Sequence, residues 1–297
     1  MTVQAPVQAD ALHDAPGVLR YAALGDSITV GIGDPMPDGT TRGWARLLAA
    51  SLAPPGRVEL CNVAMTGARV RDVATVQLPL ALAARPHVAS VVVGVNDTLR
   101  DTFDPYAIGL ALTATVAALR SAGAVVLTAR LPDPGRMFGL PRSLARPLAR
   151  RMWAVNAVVD SIGARYGTIH VDLAADPSTY DRRMWSVDRL HPSERGHRLV
   201  AVAFADAMAA AGLAVPHRPG SEPTNPPPTR RAEAHWMATQ GVAWLMRRSQ
   251  DLVPTLAAMV AAEWWHGLRD AATGVDDRVA CEVAEALHHL DERVAAA

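Results

Sequence analysis

The chain has 297 residues, half of them hydrophobic, enough to bury one domain-sized core and still carry an appendage. Its formal charge is zero and all 29 basic residues are arginine. That gives no support to nucleic-acid binding and excludes lysine chemistry: no P-loop, no Schiff base, no pyridoxal attachment.

In chain order, residues 1–16 read as a disordered arm, with no basic segment leading into an apolar one and so no secretory signal. An apolar run over Leu19–Leu24 that stops at Gly25 predicts a core strand of a parallel sheet. Ser27 follows it, and Gly31 and Gly33 come soon after. Asp34–Arg42 is turn-rich, Trp44–Leu52 is a short helix, and Val58–Asn62 is a second strand leading to Ala64-Met65-Thr66-Gly67. Val70–Ala84 has helical spacing, and Val88–Val93 is a third strand that ends in Gly94-Val95-Asn96-Asp97. Pro105–Ser121 is a helix with Pro at its start and Gly123 past its end. Ala124–Ala129 is a fourth strand, Arg130–Pro147 an Arg- and Pro-containing insertion, Leu148–Tyr166 a helix and Thr168–Leu173 a fifth strand. Ser193–Ala211 is a final helix with Ser193 as its cap.

Strands alternating with helices predict a parallel sheet covered on both faces. This main domain runs over residues 17–215. Pro216–Thr229 is too rich in proline to fold alone and reads as a linker. Residues 230–297 read as a helical extension, with segments at Arg231–Ser249, Pro254–Asp270 and Asp276–Ala295. Four of the seven tryptophans (Trp236, Trp244, Trp264, Trp265) lie there, so the extension has apolar surface to bury. It is expected either to pack onto the main domain or to support assembly, for instance a homodimer. No stretch is long and apolar enough for a membrane span. Cys61 and Cys281 form neither a disulfide framework nor a metal spacing. The expected location is cytoplasmic.

The chemistry sits after the strands. Ser27 follows strand one, Gly67 strand two and Asn96 strand three, and Asp188-Arg189-Leu190-His191 lies beyond strand five. The carboxyl ends of parallel strands lie along one edge, where open α/β sheets bind ligands. A serine hydroxyl needs a base to become a nucleophile, and histidine is the usual one near neutral pH. That base needs an acceptor on its other nitrogen, which Asp188 can reach from three residues away. A developing oxyanion needs fixed donors, and an unobstructed glycine N–H and an Asn amide are suitable. Each residue also has a plainer reading. Ser27 could be a helix cap, Gly67 a turn glycine, Asn96 or Asp97 a cap, Asp26 a turn anchor and His197 a structural residue of the last helix. The dinucleotide fingerprint is incomplete at Gly31-Ile32-Gly33, and Thr29 breaks the Gly-x-Ser-x-Gly elbow.

Gly-Asp-Ser at Gly25–Ser27, Gly67, Gly-x-Asn-Asp at Gly94–Asp97 and Asp-x-x-His at Asp188–His191 occur in the order found in SGNH hydrolases, the GDSL esterases and lipases, and residues 19–213 resemble that family. The resemblance implies a flavodoxin-like three-layer α/β/α sandwich with a five-stranded parallel sheet. It implies Ser27 as nucleophile, His191 as base and Asp188 as its orienter. The oxyanion donors would be the N–H groups of Ser27 and Gly67 and the side chain of Asn96. The implied activity is a serine esterase or acylhydrolase without metal or organic cofactor, acting on a small or lipid-like acyl ester. An acyltransferase working through the same acyl-serine is the alternative. Asp34–Arg42 and Arg130–Arg151 are expected to rim the acyl pocket. The arginines of the second loop, Arg142 and Arg146 among them, form either a solvated basic face or a site for an anionic substrate group.

Overall fold

The computed structural model describes residues 17–225, 229–236, 238–239, 252–267 and 272–295. The expected N-terminal arm and Trp244 lie outside the described residues. Five strands form one sheet: β1 (Leu19–Gly25), β2 (Val58–Asn62), β3 (Val88–Val92), β4 (Val125–Arg130) and β5 (Ile169–Asp172). Their order is β2-β1-β3-β4-β5 and all pairings are parallel, with Tyr21 opposite both Leu60 and Val88. Every residue of β3 is buried, as the uninterrupted apolar run requires of a strand covered on both faces. From β1 the chain first goes outward to β2, then crosses back to β3. The switch point therefore lies at the carboxyl end of β1, just before Ser27.

A one-turn helix α1 (Ser27–Val30) follows β1, and α2 (Gly43–Leu52) precedes β2. Helix α3 begins at Val70–Asp72, passes through a π segment at Val73–Gln77 and continues over Leu78–Ala83. In the π segment Leu78 N–H donates to Val73 O, five residues back. Pro79 has no N–H for the Thr75 carbonyl, which breaks the regular ladder at this point. Next come α4 (Val95–Thr98), α5 (Pro105–Ser121), α6 (Pro134–Phe138), α7 (Arg142–Tyr166) and α8 (Glu194–Ala210). Helices α2 and α8 pack together, with Trp44 stacked on Phe204 at 5.1 Å, while α3, α5 and α7 form the other layer. Helix α7 starts six residues earlier than the sequence pattern predicts and holds Pro147 inside it. Pro147 is only in its second turn, so the lost bond falls on the Ser143 carbonyl near an end, where the disruption is smallest.

Two buried amides finish strands at the edge that carries the site. Gln77 of the π segment bonds both backbone groups of Gly25, each at 2.8 Å. Asn156 of α7 does the same for Leu131, just past β4, again at 2.8 Å each. Each side chain takes the place of a missing strand neighbour, so the backbone groups of Gly25 and Leu131 are paired where the sheet stops.

Residues 216–225 run beside α8. Arg218 pairs with Asp206, and the Gly220 carbonyl accepts from Arg198 at 2.9 Å. Beyond them lie α9 (Arg230–Trp236), α10 (Leu252–Gly267) and α11 (Ala272–Ala295). Helix α11 rests on α5 and α7, and α10 rests on α7. Val283, Ala286 and Leu290 of α11 are buried at helical spacing. The Leu290 methyl occupies the place a Cβ on Gly109 would need. Among the described residues no helix is long and apolar enough to cross a membrane.

Candidate active site

Ser27 is the first residue of α1, so its N–H is one of the donors a helix start leaves without an internal partner. Asp26 caps this helix, accepting Ile28 N–H at 3.0 Å. Gly25 has no substitute here, because a Cβ would fall on the Val92 carbonyl. The turn therefore leaves the sheet abruptly and leaves the Ser27 hydroxyl at the edge, its residue 8% exposed.

Ser27 Oγ lies 2.9 Å from His191 Nε2, and His191 Nδ1 lies 2.6 Å from Asp188 Oδ2. With Asp188 ionised, the network assigns the imidazole proton to Nδ1 and leaves Nε2 to accept from the serine hydroxyl. Asp188 is held closely. Its Oδ1 accepts from Ser186 Oγ at 2.7 Å, Leu190 N at 2.9 Å and His191 N at 3.0 Å. Burial alone would raise its pKa. The hydrogen bond and charge of His191, with the other donors, outweigh burial and bring it down to about 2. Arg189 adopts φ 59°, unusual for a residue with a side chain, which lets four residues turn back so that His191 O accepts Ser186 N–H at 2.8 Å.

Gly67, at φ 78°, lies in the loop after β2, and Asn96 is the second residue of α4. Asn96 Nδ2 donates to Ala68 O at 3.1 Å and, more weakly, to Asp26 Oδ2 at 3.4 Å. Asn96 thus connects the β1, β2 and β3 loops. Asp97 does not cap its own helix. It accepts Val70 N–H and so secures the start of α3. Burial raises the carboxyls of both Asp26 and Asp97 to about 6. Backbone N–H bonds oppose that shift in both, as does the charge of His191 for Asp26 and of Arg69 for Asp97. His197 is buried, with Nε2 facing Ile32 O at 2.9 Å and Nδ1 accepting Trp44 N–H at 3.2 Å. Burial lowers its pKa to about 4, so it is a neutral strut between α8 and the loop that follows α1.

The arginine-bearing segment is largely tied internally. Arg130 pairs with Asp172 at 3.0 Å, Arg136 lies over the Tyr180 ring, and Arg151 donates to Thr98 O and Arg100 O. A cleft of about 380 Å³ opens beside Asp188, walled by Gly33, Pro35, Val187, Pro223 and Asn225. A larger cavity of about 840 Å³ runs along α2 and the edge strand β2. Residues 39–42 of the loop expected to rim the acyl pocket line that larger cavity, but Ser27, Asp188 and His191 do not. Sequence reasoning missed Ser186, Gln77 and Glu194. Ser186, two residues before Asp188, and Glu194, four before Arg198 on one helix, carry local signals, whereas Gln77 carries none.

A family model of the GDSL-like lipase/acylhydrolase family matches residues 23–199. Among solved structures, the chain is similar to LAE5, an α/β hydrolase enzyme from the metagenome of Lake Arreo, Spain. Identity is 23% and the TM-score 0.52, with 66% of this chain and 96% of that one covered. It is similar to Axe2, an acetylxylan esterase from Geobacillus stearothermophilus, at 20% identity and TM-score 0.52 over 67% and 96% of the two chains. It is also similar to the lipase/acylhydrolase from Enterococcus faecalis, at 20% identity and TM-score 0.51 over 66% and 96%. At these identities the likeness concerns the fold. No curated protein is close enough in sequence to add to the comparison. With its motifs in order, its sheet in the flavodoxin-like sequence of strands and more than half its length matched, the chain belongs to the GDSL-like lipase/acylhydrolase family.

Proposed function

We propose that the protein hydrolyses carboxylic esters through an acyl-enzyme on Ser27. The observation that carries this reading is the unbroken hydrogen-bond chain from Ser27 Oγ through His191 to Asp188. In the first half-reaction Ser27 Oγ attacks the ester carbonyl while His191 Nε2 takes its proton. The tetrahedral oxyanion is met by the N–H groups of Ser27 and Gly67 and by the Asn96 amide, whose long bond to Asp26 is the easiest to exchange for a charged acceptor. His191 then returns the proton to the departing alcohol. In the second half-reaction water attacks the acyl-serine with His191 again as base, and Ser27 is regenerated. Asp188 fixes the imidazole tautomer and stabilises the imidazolium, remaining ionised throughout.

The expected substrate is a small or lipid-like acyl ester. The test is a serine-directed fluorophosphonate with p-nitrophenyl ester turnover alongside. Wild type is labelled, whereas Ser27→Ala is not and loses activity by on the order of 10⁴-fold or more. Labelling of the alanine variant would remove the assignment. The same assay run with added alcohols separates transfer from hydrolysis by its products.

A further inference from the structure

Glu194, the first residue of α8 and three residues after His191, is a buried carboxylate with an unusual number of donors. Its Oε1 faces Arg42 Nη2 at 2.6 Å, Arg198 Nη2 at 2.7 Å and Nε at 2.8 Å, Thr224 N at 2.8 Å and Thr224 Oγ1 at 2.9 Å. Its Oε2 accepts Asn225 N–H at 2.7 Å. We propose that Glu194 is a positioning residue for acyl transfer, and that Gly220–Asn225, outside the family-matched region, is a strap that completes the catalytic site by holding it. The inference rests on the Ser27–His191 reading given above.

The Ser27–His191 contact joins segments 164 residues apart. Its length therefore depends on how the nucleophile's loop sits against the loop that carries the base. Besides the bonds of His197 to Ile32 O and Trp44 N–H, two direct ties cross between them. Gly33 lies against the Pro192 carbonyl so closely that a Cβ would overlap it. The other tie is Arg42 to Glu194. Arg42 also donates through Nε and Nη2 to Asp34, each at 3.0 Å, and Asp34 accepts Gly43 N–H at 3.2 Å. One carboxylate thereby gathers both ends of the nucleophile's loop, and Arg42 hands that loop to the helix of the base.

The cluster is closed in charge, Asp34 and Glu194 against Arg42 and Arg198, and is almost wholly buried. Buried ion clusters hold one geometry only when every lone pair is met. Here three of the donors to Glu194 come from the strap. Burial would raise the Glu194 pKa, but the Thr224 and Asn225 N–H groups and Arg198 bring it down to about 2. Arg198 closes the loop by donating to Gly220 O. Asn225 and Pro223 also wall the cleft beside Asp188.

The experiment uses the full chain and four variants. Asn225→Pro deletes the N–H to Oε2, and Glu194→Gln removes the charge. Thr224→Val removes the hydroxyl, which Thr224→Ser restores. The expected result is that Glu194→Gln and Asn225→Pro lower kcat and the rate of fluorophosphonate labelling about tenfold at unchanged KM, equivalent to about 1.4 kcal/mol in the barrier. Thr224→Val gives a smaller drop that Thr224→Ser reverses, and Glu292→Ala, on the exposed face of α11, matches wild type. Folded variants labelled at the wild-type rate would overturn the proposal. So would active-site titration showing fewer active molecules, each working at full rate. If Asn225→Pro fails to fold, the Thr224 pair decides. A wild type that is not labelled at all would sink the hydrolase reading itself, and this one with it.

Discussion

Asp188 can hold the His191 imidazole in one orientation only because its own rotation is blocked. A carboxylate bonded to one imidazole could swing about its last torsion, but Ser186 Oγ and two backbone N–H groups grip the other oxygen. Ser186 is therefore predicted to act on turnover rather than on substrate binding. Ser186→Ala should lower kcat about three- to tenfold with KM unchanged, since one charge-assisted hydrogen bond is worth ~1.5–3 kcal/mol and only part of it falls on the barrier. Ser186→Thr should keep most of the activity. Steady-state kinetics on one ester decides it, and a rise in KM with kcat intact would contradict the role. The residues that could carry the chemistry were readable because each follows a strand or sits three positions from its partner. Ser186 was readable in principle. Glu194 was readable only as the i,i+4 helix partner of Arg198; its donors Arg42, Thr224 and Asn225 are partners that spacing cannot connect.

At the scale of elements, the strands and most helices were legible because burial imposes period and length. The apolar run over Val88–Val93 predicts a core strand, and Val88–Val92 is one, buried throughout. Pro105–Ser121 begins and ends where Pro and Gly place it. One helix departs from the pattern: α7 begins before Pro147, where tertiary packing overrides the local rule that places proline at a boundary. The segment from Pro216 was read as a linker on composition, yet residues 218–225 are fastened to α8 by side chains distant in sequence. The C-terminal helices show how such docking can be tested. Leu290 of α11 fills the niche over Gly109 of α5 and is 3% exposed. Leu290→Ala removes that contact and should weaken the docking of α11 by about 2–5 kcal/mol. Hydrogen exchange would then be faster in α11 and unchanged in the β-strands, because loss of an outer helix need not open the sheet. Equal exchange in α11 of both proteins would mean that this contact does not hold the helix.

For the whole molecule, the buried titratable groups set opposing slopes of stability with pH. Asp188 and Glu194 drop to about 2 from ordinary values of 3.8 and 4.5. Their stabilisation is complete above those ordinary values and is lost as pH falls through about 2, because the unfolded chain takes up the protons first. His197, lowered from 6.5 to about 4, also loses stability as pH falls, but earlier, between 6.5 and 4. Asp26 and Asp97 have the opposite sign. Raised from 3.8 to about 6, they hold protons in the folded state that the unfolded chain has released, so their contribution falls as pH rises from about 4 to 6. Between pH 4 and 6 two carboxyls oppose one imidazole, so these groups leave a net loss of stability of about one proton as pH rises, and below about 4.5 Asp188 and Glu194 act together. Each proton is worth about 1.4 kcal/mol per pH unit. Glu194→Gln removes one of the two, so the gap in unfolding free energy between wild type and variant should be widest above pH 5 and close as pH falls from 4.5 towards 2. Asp97→Asn should do the reverse, matching wild type near pH 4 and gaining on it as pH rises to 6. Denaturant melts of the three proteins across pH 2–8 test both signs at once. A gap for Glu194→Gln that stays constant with pH would mean its carboxylate is no better solvated by its partners in the folded protein than by water in the unfolded chain.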